Sequence, residues 1–465
     1  MTMITTTTDA FTTFFHDAPP AVDTDSIRAA WKRLAPPYDV ERWQLPLPPW
    51  NRRQYDERGE VPWETLQRDL AADQTARPMC IYLHSPFCDD KCGFCDSYSF
   101  RLATHRDERI TQYVEQLCTE LEWWSRIGNL RERRVVSVHM GGGTPTFLGA
   151  KALTQIADCC KRLFNITPET EWALESTAHG LTPEVIRAMH EIGYRRLHIG
   201  VQSLEDEVRQ VIGRTSTADQ VVERIEAVRA LDWIVSVDLI CGLPRQTLAG
   251  FIGGIERLME AGINGYSLYE LLIFPQNLRW SEKHGLTQRS HLPNYWMYMA
   301  GATLLEQRGF TKNLFNHWAD ARDENIYFTF PQRDEDLLAV GAIADGVFGD
   351  YHYRHFGYNE YLQVSAAGRP ALEGGLRRTA RERQLQPLIT GILSSKIEPA
   401  QWTALGGTEA CAEVIRQWKK RGLVTADKQK RLTLTPSGSW FAGNLITELD
   451  QVAAVTQEDG LLTLG

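Results

Sequence analysis

The feature that most constrains the fold is a regular alternation of β-rich runs and amphipathic helical segments between residues 79 and 290. Strands that alternate with helices predict right-handed βαβ units and a parallel sheet. Six units are fewer than the eight of a closed barrel, so we expect an α/β fold built on a partial (β/α)6 TIM-like barrel, with its site at the C-terminal strand ends. The predicted strands are 80–84, 135–140, 171–176, 196–202, 235–240 and 266–273, and the predicted helices are 106–127, 151–164, 183–192, 218–231 and 248–261.

The rest of the chain divides into three predicted regions around this barrel at 79–290. Residues 1–78 are rich in Pro and Trp with little periodicity, which predicts an irregular N-terminal coil or lid with one or two short helices. Residues 291–382 lose the strict alternation and are predicted to extend the barrel and connect it onward. Residues 383–465 hold three helical patterns and then a hairpin-like run, which predicts a C-terminal α+β winged-helix-like domain. Because this domain lacks a strong basic stripe, a packing role is favoured over nucleic-acid binding.

Charge and cysteine usage exclude several classes of partner. The 465 residues carry a net charge of −9, which argues against nucleic acid, and no run of the sequence is apolar enough to span a membrane. Nine cysteines form an odd, uneven set and not a disulfide framework. The N-terminus has no basic region like that of a signal peptide. We therefore expect a cytoplasmic protein.

Three of the cysteines fall within the stretch "SPFCDDKCGFCDSY", residues 85–98. Cys88, Cys92 and Cys95 have the spacing C-x3-C-x2-C directly after the first predicted strand, where loops of such folds carry function. Three thiolates suit zinc or an iron–sulfur cluster. A structural zinc site ordinarily recruits a fourth ligand from a second paired motif, and the chain has no second C-x2-C. Buried structural thiols are the remaining alternative.

The motif and its context "IYLHSPFCDDKCGFC" resemble the radical S-adenosylmethionine (SAM) enzymes of the coproporphyrinogen-oxidase-like (HemN-like) group. The resemblance runs from about residue 79 to the C-terminus. It implies a [4Fe–4S] cluster held by Cys88, Cys92 and Cys95, with one iron open to SAM, and an electron donor of the flavodoxin or ferredoxin type. It also places Tyr82 and Phe94 near the cluster and the adenine.

A triple-glycine run, "HMGGGTPTF" at 139–147, follows the second predicted strand. Consecutive glycines allow a ligand to approach the bare backbone closely, and the absence of a following Lys disfavours a phosphate loop. A tight turn is the alternative interpretation. The family resemblance points to Gly142, Gly143 and Thr144 as the segment that binds the amino group of SAM.

Polar residues also occur near the ends of the later predicted strands. Glu175 and Gln202 end the third and fourth strands, and Asp238 lies in the fifth. A polar group in a buried parallel strand is costly unless it is satisfied, and either a core partner or a ligand can satisfy it. Three such residues on one barrel favour a ligand. The family resemblance assigns Glu175, Gln202, Arg214 and Asp238 to SAM, and an Arg can bind a carboxylate through two hydrogen bonds.

The same resemblance allows a second SAM. It places Leu272 at a matching position and residues 270–277 along the pocket of that second SAM. An apolar strand explains Leu272 equally well. Coproporphyrinogen oxidases of the family have a further cysteine where this chain has Ser97. Two other branches fit the C-terminal half better: one methylates sp2 carbons with two SAM molecules, and one opens haem anaerobically. In both, the resemblance implies that the adenosyl radical takes hydrogen from the methyl group of the second SAM, and the methylene radical adds to the substrate.

We therefore expect a radical SAM methyltransferase acting on a small planar substrate, either a heterocycle or a tetrapyrrole, with haem opening as the nearest alternative. A coproporphyrinogen dehydrogenase-like enzyme or a haem chaperone is a further alternative. The segment 316–327 resembles the haem-opening branch, and His317 within it is a candidate haem ligand or acid–base group, although an unsupported His is more often structural. Cys159, Cys160 and Cys241 are expected to fill the core. Trp43, Trp50 and Trp63 are weak candidates for contact with a flat substrate.

Overall fold

The computed structural model describes residues 10–34, 43–56, 61–75, 77–287, 290–333, 335–365, 370–403 and 409–451. Parts of the predicted N-terminal lid and the last residues of the predicted C-terminal domain lie outside these ranges. Within them, no helix combines the length and the apolar character that crossing a bilayer requires.

The described strands form one large sheet and two small ones. In chain order they are β1 (Met79–Ser85), β2 (Phe87–Cys88), β3 (Phe100–Arg101), β4 (Val135–Gly142), β5 (Glu171–Ser176), β6 (Arg196–Gln202), β7 (Ile234–Cys241), β8 (Gly265–Glu270), β9 (Thr311–Leu314), β10 (His317–Ala319), β11 (Asp336–Val340), β12 (Asp345–Phe348), β13 (Tyr351–His355), β14 (Leu372–Arg377), β15 (Lys396–Ile397), β16 (Val424–Ala426) and β17 (Leu432–Leu434).

The helices of the described residues connect these strands. They are α1 (Thr24–Leu34), α2 (Pro49–Asp56), α3 (Trp63–Ala72), α4 (Glu108–Trp124), α5 (Gly149–Leu163), α6 (Pro183–Ile192), α7 (Asp206–Val211), α8 (Ala218–Arg229), α9 (Leu248–Glu260), α10 (Leu278–Lys283), α11 (Leu292–Gln307), α12 (Ile326–Thr329), α13 (Tyr358–Ser365), α14 (Ala380–Leu393), α15 (Pro399–Thr403), α16 (Glu409–Lys420) and α17 (Pro436–Trp440). Short 3-10 turns lie at Pro145–Leu148 and Phe330–Arg333.

The large sheet has the strand order β14-β13-β12-β11-β1-β4-β5-β6-β7-β8-β10-β9 over the described residues. The six predicted strands pair in parallel from β1 to β8, which confirms the α/β class and the partial barrel. The sequence did not predict that β11 joins them as a further parallel strand beside β1, with Tyr82 opposite Ala339. Antiparallel strands then extend both edges, so much of the segment 291–382, which was predicted to extend the barrel and connect it onward, belongs to the sheet.

Local sequence explains why the barrel helices begin where they do. Thr182 caps α6 by accepting a hydrogen bond from the Val185 amide, and Pro183 occupies the first turn. Thr217 and Gln220 form a reciprocal capping box at the start of α8. These signals fix the short loops at the C-terminal strand ends, where the candidate site lies.

The N-terminal segment is more helical than predicted. The described part contains α1, α2 and α3, and it is held on the barrel by specific polar contacts. The Trp43 amide donates to Glu270 Oε2 at 2.7 Å, and Arg53 pairs with Glu382 at 2.7 Å. Prolines lie between these short helices and break the periodic pattern along the segment, which is why the sequence suggested coil.

The suggested contact of N-terminal tryptophans with a flat substrate is wrong for this structure. Trp43 packs its ring parallel to Phe315, and Trp50 lies under the Arg378 guanidinium. Trp63 meets Trp123 edge to face. All three stabilise the attachment of the N-terminal segment to the body.

The C-terminal region combines helices α14 to α17 with a small antiparallel sheet in the order β15-β17-β16. The hairpin of β16 and β17 pairs Thr425 with Thr433, as the hairpin-like sequence suggested. The region packs on the barrel through Tyr295, whose hydroxyl lies 2.8 Å from Ser437 Oγ. The winged-helix-like boundary at residue 383 stays a prediction.

Candidate functional site

The three motif cysteines lie in the loop that leaves β1. Backbone hydrogen bonds hold the loop: the Gly93 amide donates to Ile212 O at 3.2 Å, and the Cys95 amide donates to Cys92 O at 3.2 Å. Thr144 Oγ1 lies 3.5 Å from Cys88 Sγ. Burial raises the pKa of the Cys92 and Cys95 thiols, so metal binding would have to displace their protons.

The triple-glycine run closes one side of the loop, and each glycine is needed for a steric reason. A Cβ on Gly141 would lie 2.6 Å from Glu175 Oε1, one on Gly142 would lie 2.7 Å from Ser85 O, and one on Gly143 would lie 2.5 Å from Phe87 O. Gly142 also has φ +107, which L side chains rarely adopt. The glycines therefore allow the backbone of this run to lie close to neighbouring groups, which a simple turn would not require.

Two carboxylates of the site are each held by a buried histidine. Glu175 Oε1 lies 3.1 Å from His139 Nε2, and Glu175 Oε2 accepts from the Gly142 amide at 3.2 Å. Burial works against ionisation of Glu175, but the hydrogen bond and charge of His139 outweigh it and lower the pKa of the carboxyl. Asp238 Oδ1 lies 2.7 Å from His198 Nε2. Each carboxylate is thereby oriented with part of its surface open to the cavity.

Gln202 and Arg214 contribute polar atoms that the described part of the chain leaves unsatisfied. Gln202 Oε1 and Arg214 Nε are buried and have no hydrogen-bond partner among the described residues. Gln202 ends β6 at a register shift with φ 68, a left-handed conformation that is uncommon for a residue other than glycine. Arg214 lies over the Phe94 ring at 5.7 Å. Buried polar atoms without partners are costly, so this pair indicates a ligand.

These groups share one cavity of about 1170 Å³, including its open mouth. The structure thus brings together most of the residues singled out in the sequence. Those that line the cavity are Cys88, Cys92, Phe94, Cys95, Gly142, Gly143, Thr144, Glu175, Gln202, Arg214 and Asp238.

Comparison with known proteins agrees with this geometry. Residues 82–258 match the Radical SAM superfamily. The chain is 26% identical over 405 residues to the anaerobilin synthase of Escherichia coli O157:H7, covering 86% of this chain and 90% of that protein. It is 28% identical over 276 residues to the haem chaperone HemW of Bacillus subtilis (strain 168), covering 58% of this chain and 70% of that protein. The structure of coproporphyrinogen III oxidase (HemN) from Escherichia coli shares its fold with a TM-score of 0.73, covering 87% of this chain and 99% of that chain at 21% identity. Residues 82–258 thus belong to the radical SAM superfamily, and the chain is similar in sequence and in fold to HemN-like proteins.

A radical SAM protein uses a [4Fe–4S] cluster and SAM, and the residues present fit both groups. No set of three His, Cys, Asp or Glu side chains in the described ranges is arranged to hold a single metal ion. The three thiols nevertheless line one cavity, as a cluster with a different iron for each thiol requires. The bare glycine backbone and the unpaired atoms of Gln202 and Arg214 suit a ligand that has both ammonium and carboxylate groups.

A group of aromatic side chains contacts the histidines that hold Glu175 and Asp238. Tyr327 stacks on His139 with ring centroids 4.1 Å apart and on Tyr82 at 5.2 Å. Phe328 meets His139 edge to face at 5.5 Å and lies 6.3 Å from His198, yet it remains 39% exposed. We call Tyr327 and Phe328 the aromatic floor.

Three residues considered in the sequence lie outside the cavity. Tyr82 faces the barrel interior, where its hydroxyl lies 3.0 Å from His84 Nδ1. Leu272 is half-buried just after β8 and packs on the core, so its suggested place beside a second SAM stays a prediction. His317 is fully buried, with its ring nitrogens 2.7 Å from Ser267 Oγ and 2.8 Å from Asp323 Oδ2. A direct role for His317 as a haem ligand or acid–base group is therefore wrong for this structure.

The sequence reasoning missed His139 and His198. Both sit in buried parallel strands, β4 and β6, as Glu175 and Asp238 sit in β5 and β7. The argument that selected those carboxylates, a polar side chain within a buried strand, applies to the histidines as well. The signal was present in the runs "VVSVHM" and "RLHIGVQ".

Proposed function

We propose that this chain is a radical SAM methyltransferase that uses two SAM molecules and acts on an sp2 carbon of a flat tetrapyrrole. The observation that carries the proposal is the contact of the aromatic floor with His139 and His198, the two histidines that hold the carboxylates of the cavity. A half-exposed Phe328, set beside the rings of His139, His198 and Tyr327, suits a planar acceptor that stacks on it.

The chain's own residues have a positioning role in this proposal. The cluster and SAM, when bound, supply one-electron cleavage of a carbon–sulfur bond. Arg214 would offer its guanidinium to the carboxylate of SAM, and the backbone at Gly142 and Gly143 would lie beside its amino group. Glu175 and Asp238 are fixed by His139 and His198 and would accept hydrogen bonds from the ligand's donors. Holding cofactor and acceptor together away from water is the main contribution of the protein.

Coproporphyrinogen oxidation is not supported as the activity. Ser97 stands where the resembled oxidases have a further cysteine, and its hydroxyl donates to Gly142 O at 3.2 Å. The side chain therefore supports the glycine run and offers no thiol chemistry. A serine hydroxyl is a far weaker nucleophile than a thiol, and it gives up a hydrogen atom to a radical far less readily.

Haem opening is the second candidate, and one finding favours it. The similarity to the anaerobilin synthase covers 86% of this chain and 90% of that protein, and so extends well beyond the cluster domain. The segment 316–327, which resembles the haem-opening branch, carries Tyr327 of the aromatic floor and Asp323. Asp323 pairs with Arg196 and His317, and these contacts fix the segment in the barrel. Haem is accordingly the first acceptor to test.

The proposal is tested by incubating cluster-reconstituted protein with SAM, dithionite and haem without oxygen. We expect S-adenosylhomocysteine and 5′-deoxyadenosine together, loss of the haem Soret band and a product heavier by a methyl or methylene group. A Cys92→Ala variant should give none of these. Deoxyadenosine without S-adenosylhomocysteine would contradict the two-SAM proposal, and stoichiometric haem binding without turnover would indicate a chaperone. A reduced flavodoxin or ferredoxin is the proposed physiological donor in place of dithionite.

A further inference from the structure

Two cysteines outside the cluster motif, Cys118 on α4 and Cys159 on α5, lie next to each other where the two helices pack. Cys159 Sγ lies 3.7 Å from the carbonyl oxygen of Cys118, so the two residues are in contact across the helix pair. Both residues line a groove on the protein surface between the helices. The two residues are therefore close together, and both border the same surface groove.

An arginine makes this thiol pair chemically unequal. Arg162 Nη2 lies 3.7 Å from Cys159 Sγ, one helical turn away on α5. The hydrogen bond from Cys118 and the positive charge of Arg162 lower the pKa of Cys159 despite its burial. The same hydrogen bond raises the pKa of Cys118. A thiol with a lowered pKa beside a second thiol is the arrangement that oxidants attack most readily.

The next residue, Cys160, gives a natural comparison. Its side chain is fully buried in the core, where burial raises the pKa of the thiol. Cys160 does not line the surface groove. Adjacent cysteines on α5 thus point to different surroundings, and only one of them has the features of a reactive thiol. The prediction that Cys159 only fills the core is therefore incomplete.

We propose that Cys118 and Cys159 form a reversible disulfide when the protein meets a peroxide. The Cys159 thiolate attacks one peroxide oxygen, the O–O bond breaks, and the sulfur becomes a sulfenic acid as one water leaves. The Cys118 sulfur then attacks the Cys159 sulfur, and the second water leaves. Two thiols lose two electrons and two protons, and hydrogen peroxide is reduced to two waters. A dithiol reductant reverses the reaction by exchange.

Peptide mapping of the anaerobically purified, cluster-loaded protein tests this site. The protein is treated with one equivalent of hydrogen peroxide, blocked with N-ethylmaleimide and digested with trypsin. We expect peptide 110–126 joined to peptide 152–161, and loss of the joined species after dithiothreitol. The Cys160→Ala variant should form the cross-link as wild type does, whereas Cys118→Ser and Cys159→Ser should not. Iron content should remain at the wild-type level in all three variants.

The proposal is overturned if wild-type protein yields no joined peptide, or if the cross-link survives Cys159→Ser and is lost in Cys160→Ala. Oxidation of each thiol singly to sulfinic acid would overturn it as well. Because the readout is a mapped disulfide and not turnover, its result does not depend on the proposed methyl transfer.

Discussion

His198 Nε2 and Asp238 Oδ1 lie 2.7 Å apart at the wall of the cofactor cavity, and His198 Nδ1 lies 2.9 Å from Ser236 Oγ. The imidazole is thus held at both nitrogens. Burial works to lower the pKa of His198, but the charge and hydrogen bond of Asp238 outweigh burial and raise it. The pair keeps Asp238 in one orientation toward the cavity.

Replacing His198 should weaken SAM binding more than it slows turnover. In His198→Asn, Asp238 loses the partner that orients it, so we expect the KM for SAM to rise about tenfold, or about 1.4 kcal/mol, with kcat changed less than threefold. His198→Gln, which reaches further toward Asp238, should restore part of the affinity. Steady-state formation of 5′-deoxyadenosine measures both constants, and an unchanged KM would contradict the positioning role.

The Gly141→Ala variant tests the close approach of the glycine run. Its Cβ would lie 2.6 Å from Glu175 Oε1, so the carboxylate must move away from the Gly142 amide. We expect the Kd for SAM to rise at least about tenfold in equilibrium dialysis. Gly253→Ala on α9 is the matched control, because a Cβ there meets nothing within 4 Å, and it should bind SAM as wild type does. Equal affinity in the two variants would remove Glu175 from the binding site.

We expect changes in the aromatic floor to affect binding of the acceptor and not binding of SAM. Phe328→Ala removes the exposed ring next to His139 and His198, so we expect a several-fold rise in the KM for the tetrapyrrole, since aromatic stacking contributes about 0.5–1.5 kcal/mol. Phe328→Tyr keeps the ring and should behave as wild type. Substrate-free cleavage of SAM should be unchanged in both variants. A KM unaffected by loss of the ring would show that the acceptor binds elsewhere.

A buried ion pair away from the site predicts how stability depends on pH. Glu120 Oε1 lies 2.5 Å from His355 Nε2, and Glu120 Oε2 accepts from the Tyr361 hydroxyl at 2.7 Å. Burial opposes both charges, but the mutual attraction outweighs it, lowering the pKa of Glu120 and raising that of His355. The contribution of His355 is complete below the pKa of an unfolded histidine and is lost as pH rises through its raised value. The contribution of Glu120 is lost only as pH falls through its lowered value.

Glu120→Gln should therefore lower the free energy of unfolding by about 3–5 kcal/mol near pH 6, because a charged His355 is left buried without its partner. The loss should shrink as pH rises and His355 becomes neutral in both proteins. Urea unfolding at several pH values measures this loss of unfolding free energy. Glu122→Gln on the same helix removes an exposed pair with Arg126 and should change the free energy by less than about 1 kcal/mol. Equal effects of the two changes would contradict the analysis of the buried pair.

Strong local patterns made the barrel predictable from the sequence. The runs 171–176 and 196–202 were predicted with the bounds of β5 and β6, since continuous apolar strands between capped helices give a clear signal. β11 was missed because its pairing with β1 joins segments far apart in sequence, after the alternation has faded. No pattern in the local sequence distinguishes such a strand from an edge strand.

The site residues were predictable where a motif or strand end marked them, and unpredictable where burial decided their role. Cys88, Cys92 and Cys95 follow a spacing, whereas His317 looked available in the sequence and is enclosed by Ser267 and Asp323 in the structure. Cys159 and Cys160 are chemically identical and adjacent, so only the packing around them decides that Cys159 borders the groove and Cys160 lies in the core.

The most direct test of the account uses SAM labelled with deuterium in its methyl group, incubated with the reduced holoenzyme and haem. Because the proposed reaction takes hydrogen from that methyl group and transfers its carbon, the released 5′-deoxyadenosine should carry deuterium, and the tetrapyrrole product should carry the remaining label. Unlabelled 5′-deoxyadenosine together with an unlabelled product would contradict radical methyl transfer by this protein.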